Sequence, residues 1–232
     1  MNYPRPITEI HQIEPTTFCD LRCVYCPSKD LDKARYRGQP RMHMELDVFA
    51  AALEWARWFE VHGTQRELNL TGIGETLLHP QLAELCEMAR DALPTVPICF
   101  STNGLKLTDD ICRMLAEHDI TLDVSLHRPE KAGPAIEKAK RHGIFHSANA
   151  GASVSSFDWA GQLNWPVSAP KGPCAWLGIG WANVLVDGRI TACCYDAAAK
   201  GVVGHVVDDR DKIGTLGIKP FELCGPCHLS PP

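Results

Sequence analysis

The sequence predicts an α/β protein: a partial (β/α)6-type parallel barrel followed by a small C-terminal β-hairpin unit. Three observations carry this expectation. Strand-like and helix-like segments alternate through the first two-thirds of the 232 residues, the pattern of βαβ units joined by right-handed crossovers. Five such strands fall short of a closed eight-stranded barrel and leave an open one, with room for a sixth strand after Ala152. Beyond about Ser153 the texture changes to a Pro- and Gly-rich stretch and then a hairpin signal. The chain is thereby divided into residues 1–153 and 154–232.

The elements follow in order. Residues 8–13 read as a strand that enters a loop carrying Cys19, Cys23 and Cys26. Over 46–62 the apolar residues Val48, Phe49, Ala52, Leu53, Ala56 and Phe59 recur with helical period, with Asp47 as N-cap and Gly63 as stop. Residues 67–71 form a short strand running into Gly72-Ile73-Gly74-Glu75, and Pro80 opens a helix to about Ala92. Strand 97–101, helix 108–118, strand 120–126, helix 134–142 (closed by Gly143) and strand 144–150 continue the rhythm. Pro166, Pro170, Gly172 and Pro173 mark a linker. Segments 181–186 and 189–194 flank Asp187-Gly188, a pair suited to a type I′ hairpin turn.

Composition narrows the class. Hydrophobic residues make up 45% and charged residues 22%, ordinary values for a globular domain. No apolar stretch approaches the roughly 20 residues of a membrane span. The start carries no apolar export segment, so a cytoplasmic location is expected. Net charge is −5 with scattered Lys and Arg. The densest basic stretches, 33–41 and 138–141, read as solvated surface. Non-specific nucleic-acid binding is therefore not expected, while a nucleoside substrate stays open.

Eleven cysteines in a reducing compartment point to metal, because their grouping is uneven. Cys19, Cys23 and Cys26 lie together; so do Cys174, Cys193, Cys194, Cys224 and Cys227. Cys86, Cys99 and Cys112 stand alone and read as buried small hydrophobes. Three thiolates on one loop are too few to close a tetrahedral zinc site, which takes four ligands. They suit a cubane iron–sulfur cluster that keeps one iron open, since such clusters ordinarily take four cysteines. Zinc with a distant fourth ligand is the alternative.

The run Ile13-Glu14-Pro15-Thr16-Thr17-Phe18-Cys19-Asp20-Leu21-Arg22-Cys23-Val24-Tyr25-Cys26-Pro27 resembles the signature loop of the radical S-adenosylmethionine (SAM) superfamily. Tyr25 takes that pattern's aromatic position, and Asp20 stands where asparagine is frequent. Leu70-Thr71-Gly72-Ile73-Gly74-Glu75-Thr76-Leu77-Leu78-His79-Pro80 resembles the family's glycine-rich segment, with Thr76 where proline is common. Glycines there let backbone approach a ligand, and a carboxylate can pair with an ammonium group. Taken alone, Gly-x-Gly-Glu is equally an ordinary strand-to-helix turn. The resemblance implies that Gly74 and Glu75 hold the amino group of the cofactor's methionine moiety.

Ser101-Thr102-Asn103-Gly104 resembles a Thr-Asn-Gly segment of the same family. The run Asp123-Val124-Ser125-Leu126-His127 resembles the polar end of its fourth strand. Asn103 and Ser125 are accordingly implied as cofactor contacts, at strand ends where ligands gather in parallel folds. Asn103 would serve equally as a turn residue, and His127 as a proton-transfer group or a structural histidine. No catalytic side chain is singled out.

Cys174 is followed by thirteen residues, Gly188, four residues and Cys193, and later by Cys224-Gly225-Pro226-Cys227. This resembles the pattern of the auxiliary-cluster domains called SPASM and twitch. The ending at Pro232 favours the shorter twitch type, with one auxiliary [4Fe–4S] cluster. Four cysteines would also serve zinc. Neighbouring side chains on a strand point opposite ways, so only one of Cys193 and Cys194 is expected to ligate, and the Gly188 spacing selects Cys193.

The resemblance implies a [4Fe–4S] cluster on Cys19, Cys23 and Cys26 that binds S-adenosyl-L-methionine. Its reduction by a donor such as flavodoxin or ferredoxin would yield a 5′-deoxyadenosyl radical. That radical would abstract a hydrogen from a small polar, amino-acid-like or sugar-like substrate, giving oxidation or rearrangement. The second cluster would transfer electrons. The alternatives are modification of a nucleoside or base adduct such as a hypermodified thymidine, a peptide-modifying maturase, and, from another class, a non-catalytic zinc-binding module.

Overall fold

The computed structural model describes residues 3–23, 26–27, 41–126, 128–149, 159–160, 162, 172–227 and 229–230. Tyr25, His127, the stretch after Ala152 and the linker prolines Pro166 and Pro170 lie outside these residues, as does most of the 33–41 basic stretch.

A short strand β1 (Arg5–Pro6) precedes β2 (Glu9–Ile13), α1 (Leu46–Val61), β3 (Leu68–Asn69), α2 (Leu82–Ala92) and β4 (Ile98–Thr102). Then come α3 (Asp109–Glu117), β5 (Ile120–Ser125), α4 (Pro129–Arg141) and β6 (Phe145–Asn149). The C-terminal part holds β7 (Gly172–Pro173), α5 (Ala175–Ile179), β8 (Trp181–Val184), β9 (Arg189–Thr191), β10 (Val202–His205), β11 (Gly217–Ile218) and β12 (Leu229–Ser230). Eight strands form one sheet in the order β10-β9-β8-β2-β3-β4-β5-β6. From β8 to β6 every neighbouring pair is parallel, while β8, β9 and β10 are joined antiparallel. Two minor ladders, β1–β11 and β7–β12, stand apart.

The expected partial parallel barrel is present, and its residues show why. In β5 Ile120, Leu122 and Val124 are buried while Thr121, Asp123 and Ser125 are half-buried. The period of two sends one set toward the helices and leaves the other on the opposite, polar face. Helix α1 buries Phe49, Ala52, Leu53, Ala56 and Phe59 of the stripe its sequence predicts, adds Ala51 and Trp55, and leaves Val48 half-buried. The Trp55 indole N–H donates to the Val206 carbonyl at 3.0 Å, so the helix is tied to the C-terminal part as well.

Four local expectations are corrected. Glu45, not Asp47, is the N-cap of α1 and makes no side-chain cap bond; Asp47 sits in the first turn, where its charge suits the helix dipole, and accepts from Val48 N at 2.7 Å. Helix α4 starts at Pro129, so Pro134 lies inside it although proline usually ends a helix pattern. The β8–β9 turn is not type I′, which needs positive φ at two central residues. Leu185 N donates to Arg189 O and Gly188 N to Leu185 O, both at 2.8 Å. That leaves a three-residue loop in which only Gly188 has positive φ, +87°. Finally, the sixth parallel strand among the described residues is β8, the first arm of the hairpin itself, which extends the main sheet beside β2.

One buried carboxylate holds this junction. Glu14, 2% exposed, follows β2 and accepts from Ile73 N at 3.0 Å through Oε1 and from Val186 N at 3.1 Å through Oε2. Glu14→Ala strands two buried N–H donors and removes the link between β3 and the hairpin loop. We expect it to lower the unfolding free energy by about 3 kcal/mol or more. Urea denaturation checks this, and a loss under about 1 kcal/mol would contradict the role.

Candidate active site and auxiliary cysteine site

Because β2 to β5 run parallel, their carboxyl ends share one rim, the edge where ligands bind in such sheets. The rim carries the cysteine loop after β2, Gly72 to Glu75 after β3, Asn103 after β4 and Ser125 at the end of β5.

The cysteine loop is held from below by Thr17, whose N donates to Met42 O at 3.0 Å and whose Oγ1 accepts from Met42 N at 2.9 Å. Cys26 N donates to Cys23 O at 3.0 Å, which ties the two cysteines together. Cys19, Cys23 and Cys26 are all partly exposed and none is in a disulfide. Burial pushes the Cys19 thiol up to about 11, opposed by the Leu21 N–H that bonds its sulfur. A metal there must displace protons as it binds.

The two glycines of the neighbouring segment are demanded by the chain's own packing. A Cβ on Gly74 would stand 2.2 Å from Thr16 O and 2.7 Å from Phe18 O; one on Gly72 would stand 2.2 Å from Glu14 Cγ. Glu75 N then donates to Phe18 O at 2.7 Å. The glycines therefore lock the β3 end against the cysteine loop, a reason different from the expected approach to a ligand.

Glu75 is 3% exposed. Its Oε1 accepts from Thr102 Oγ1 at 2.7 Å and Leu77 N at 3.2 Å, its Oε2 from Asn103 N at 2.8 Å. Burial raises its carboxyl to about 7 against the pull of these three bonds. Every one of these donors is uncharged.

Asn103 is a turn residue and a tie at once. Its Oδ1 accepts from Leu105 N at 2.9 Å, and its Nδ2 donates to Asp20 Oδ1 on the cysteine loop at 2.8 Å. Ser125 is half-buried at the β5 end, paired in register with Asn149. Thr102, buried and bonded to Glu75, joins this site from within the Ser101–Gly104 segment, where its hydroxyl beside Asn103 is the signal in the sequence.

The second cysteine set also converges. Cys174 caps α5, Cys193 follows β9, Cys224 ends a 3-10 turn over Glu222–Cys224, and Cys227 follows it. All four line one apolar pocket, closed by residues that include Trp176 and Phe221. Cys194 is absent from that lining and faces a neighbouring cavity instead.

The choice of Cys193 has a basis other than strand alternation, since β9 already ends at Thr191. The Cys194 thiol donates to Cys193 sulfur, the main cause that lowers the Cys193 pKa, whereas burial foremost raises Cys194 well above its ordinary value. Of the two thiols, Cys193 is therefore the one that gives up its proton more readily. Asp196, which sequence reasoning missed, fixes this loop: it accepts from Thr191 Oγ1 and Gly201 N at 2.7 Å and from Lys200 N at 2.8 Å.

Among the described residues, neither cysteine set brings three thiols within 4.8 Å of one another. Four sulfurs around one zinc, at about 2.3 Å each, would sit under about 4 Å apart. Cys86 and Cys112 are fully buried, as expected of small hydrophobes. Cys99 is buried too, and its thiol in addition donates to Asn69 Oδ1 at 2.8 Å and stands with Asp123 and His146. Among the described residues no helix is long and apolar enough to cross a membrane.

A family model described as the Radical SAM superfamily matches residues 13–148. GTP 3′,8-cyclase 1 of Pseudomonas aeruginosa is 35% identical over 97 residues, which make up 41% of this chain and 26% of the relative. The chain thus spans about a quarter of the length of the curated relatives it matches. Among solved structures, BtrN in complex with AdoMet and 2-DOIA superposes with a TM-score of 0.70 at 19% identity, covering 93% of this chain and 84% of that one. Native anSMEcpe with bound AdoMet and Kp18Cys peptide gives a TM-score of 0.58 at 14% identity, covering 94% and 85%. At these identities the two structures establish the fold.

Proposed function

Since the chain belongs to the radical SAM superfamily, whose enzymes use a [4Fe–4S] cluster and S-adenosylmethionine, we propose that it cleaves that cofactor reductively to oxidise or rearrange a small polar, sugar-like or amino-acid-like substrate. The observation that carries the reading is the meeting of the cysteine loop with the Glu75 segment on one rim, joined through Phe18 O and the Asn103–Asp20 bond.

The residues fit the groups. Cys19, Cys23 and Cys26 would hold the first cluster and Gly74, Glu75, Asn103 and Ser125 the S-adenosylmethionine. Glu75 is a buried carboxylate served by neutral donors alone, so an ammonium group is the partner it lacks. Once loaded and reduced by a flavodoxin- or ferredoxin-type donor, these groups supply a carbon radical able to take a hydrogen from an unactivated C–H bond. The chain's own residues position: Asn103 holds the cysteine loop through Asp20, and Glu75 orients the cofactor's amino group. In the part from residue 154 onward, Cys174, Cys193, Cys224 and Cys227 would hold a second [4Fe–4S] cluster. Four cysteine ligands leave no open iron, so electron transfer is its role.

Anaerobic reconstitution with iron and sulfide tests this. We expect about eight irons per chain, four for each cluster, and 5′-deoxyadenosine on reduction. Cys193→Ala should lower the count to about four, while Cys194→Ala should leave about eight. Zinc in place of iron, with no cofactor cleavage, would sink the enzyme reading; iron loss in Cys194→Ala but not Cys193→Ala would reverse the ligand assignment.

A further inference from the structure

Three metal-binding side chains meet away from both cysteine sites. Cys99 on β4, Asp123 on β5 and His146 on β6 each bring a ligand atom within 4.8 Å of the others. All three lie within their strands, on the polar face opposite the helices, and not at the rim of strand ends.

Cys99 differs from the other isolated cysteines. It is 6% exposed, yet it stands outside the apolar core to which Ile98 and Phe100 on either side of it belong. Its register partner on β3 is Asn69, whose side chain its thiol bonds. Burial pushes this thiol up to about 12, and the carboxylates of Asp123 and Glu67 push the same way. A bound cation offsets all three effects as it displaces the proton.

An irregularity in the ladder supplies the third side chain. Leu122 pairs with Phe145 and Asp123 with Ser147, which leaves His146 as an extra residue, a bulge. Strict alternation would send His146 and Ser147 to opposite faces. Instead both reach one carboxylate: Ser147 Oγ donates to Asp123 Oδ1 at 2.5 Å, and His146 Nδ1 stands 3.6 Å from the same oxygen. Bulges are rare in parallel ladders and recur where a side chain is re-aimed at a site.

The donor set names the ion. A thiolate, an imidazole and a carboxylate together suit zinc, whereas magnesium and calcium take oxygen ligands. Zinc bonds of about 2.0 to 2.3 Å hold tetrahedral ligands under about 4 Å apart. The His146–Asp123 distance already meets that, and the His146 side chain, 59% exposed, has room to turn toward Cys99. Ser147 holds the carboxylate from outside, as the partners of metal ligands do.

We propose that Cys99, Asp123 and His146 bind one zinc ion, with water in the remaining position, as a metal site separate from both cysteine sets. Strand β6 ends the main sheet, so the ion also ties that edge back to β4. The inference goes beyond the function proposed above and does not rest on it.

Holoenzyme loaded with iron and sulfide, then dialysed against micromolar zinc, tests it. We expect about one zinc per chain with the iron count unchanged, and at least a tenfold loss of zinc affinity in His146→Gln and in Asp123→Asn. His146 is exposed, so its variant should fold as the wild type does. Zinc-edge X-ray absorption should show a single sulfur at about 2.3 Å and nitrogen or oxygen at about 2.0 Å. Backbone amide exchange over residues 145–149 should slow on zinc addition in the wild type only. Zinc uptake unchanged in both variants, a shell of several sulfurs, zinc gained at the expense of iron, or exchange that zinc does not alter would each overturn the proposal. The readout is the difference between wild type and His146→Gln, so it holds whatever metal the other cysteines take; 5′-deoxyadenosine formation scores the enzyme reading separately.

Discussion

Replacing Cys19, Cys23 and Cys26 together by alanine is expected to abolish 5′-deoxyadenosine formation while the chain stays folded and keeps about four of its eight irons. The loss should be complete within detection, at least a thousandfold, because the open-iron cluster is the sole source of the cleaving electron. The fold should survive because the loop is anchored by Thr16 and Thr17 to Met42 and His43 rather than by its sulfurs. Iron analysis, circular dichroism and chromatographic assay of the nucleoside check the three parts. Cleavage that persisted in the triple variant would show that the rim does not hold the reacting cofactor. A fall to no iron at all would show that the two cysteine sites assemble as one.

The second large effect is on stability. Glu75 titrates near 4.5 when exposed and at about 7 in the folded chain, where burial is the main cause. Between those values the folded state keeps a proton that the unfolded state has released, so stability falls as pH rises. The penalty is absent below about pH 4, complete above about pH 8, and worth about 3 kcal/mol. Glu75→Gln removes the titration. The difference in unfolding free energy between wild type and variant, both free of cofactor, should therefore move by about 3 kcal/mol against the wild type from pH 4.5 to 8. Urea titrations at those two values measure it, and a difference that stays flat within about 1 kcal/mol would show that the carboxyl is not desolvated. The same arithmetic gives the group its use: an ammonium ligand at Glu75 removes the penalty, so affinity for such a ligand should rise over the window.

What the sequence made legible was whatever depends on near neighbours. The apolar stripe of α1, the alternation of β5 and the Cys174–Gly188–Cys193 spacing each sit within a few turns of chain. The hairpin position was legible for the same reason, but its turn type was not. Asp187-Gly188 permits more than one loop, and the Leu185–Arg189 pairing selects among them. Helix α4 was legible from Pro134 onward but its first turns were not, because proline is commoner at a helix start than inside one.

The polar residues that assemble the sites were the least legible. Glu14 meets a partner 172 positions away, and Asn103 ties to Asp20 across 83. The motif glycines show a subtler gap. Their presence was legible, but the steric reason for them, Thr16 O and the Glu14 side chain, was not.

The placement of β8 beside β2 has a consequence in time. Strand β2 is complete once residue 13 has been added, and its neighbour on one side arrives with residues 68–69. Its other edge waits for residues 181–184. At ribosomal speeds of about 5–20 residues per second, that edge stays open for roughly ten to thirty seconds. A strand meant for the interior, with its N–H and C=O groups unpaired along one edge, is a template for foreign strands throughout that interval. Chains cut short before residue 181 never leave it, and their fate should be capture by chaperones or aggregation rather than a stable barrel without its cysteine-bearing hairpin.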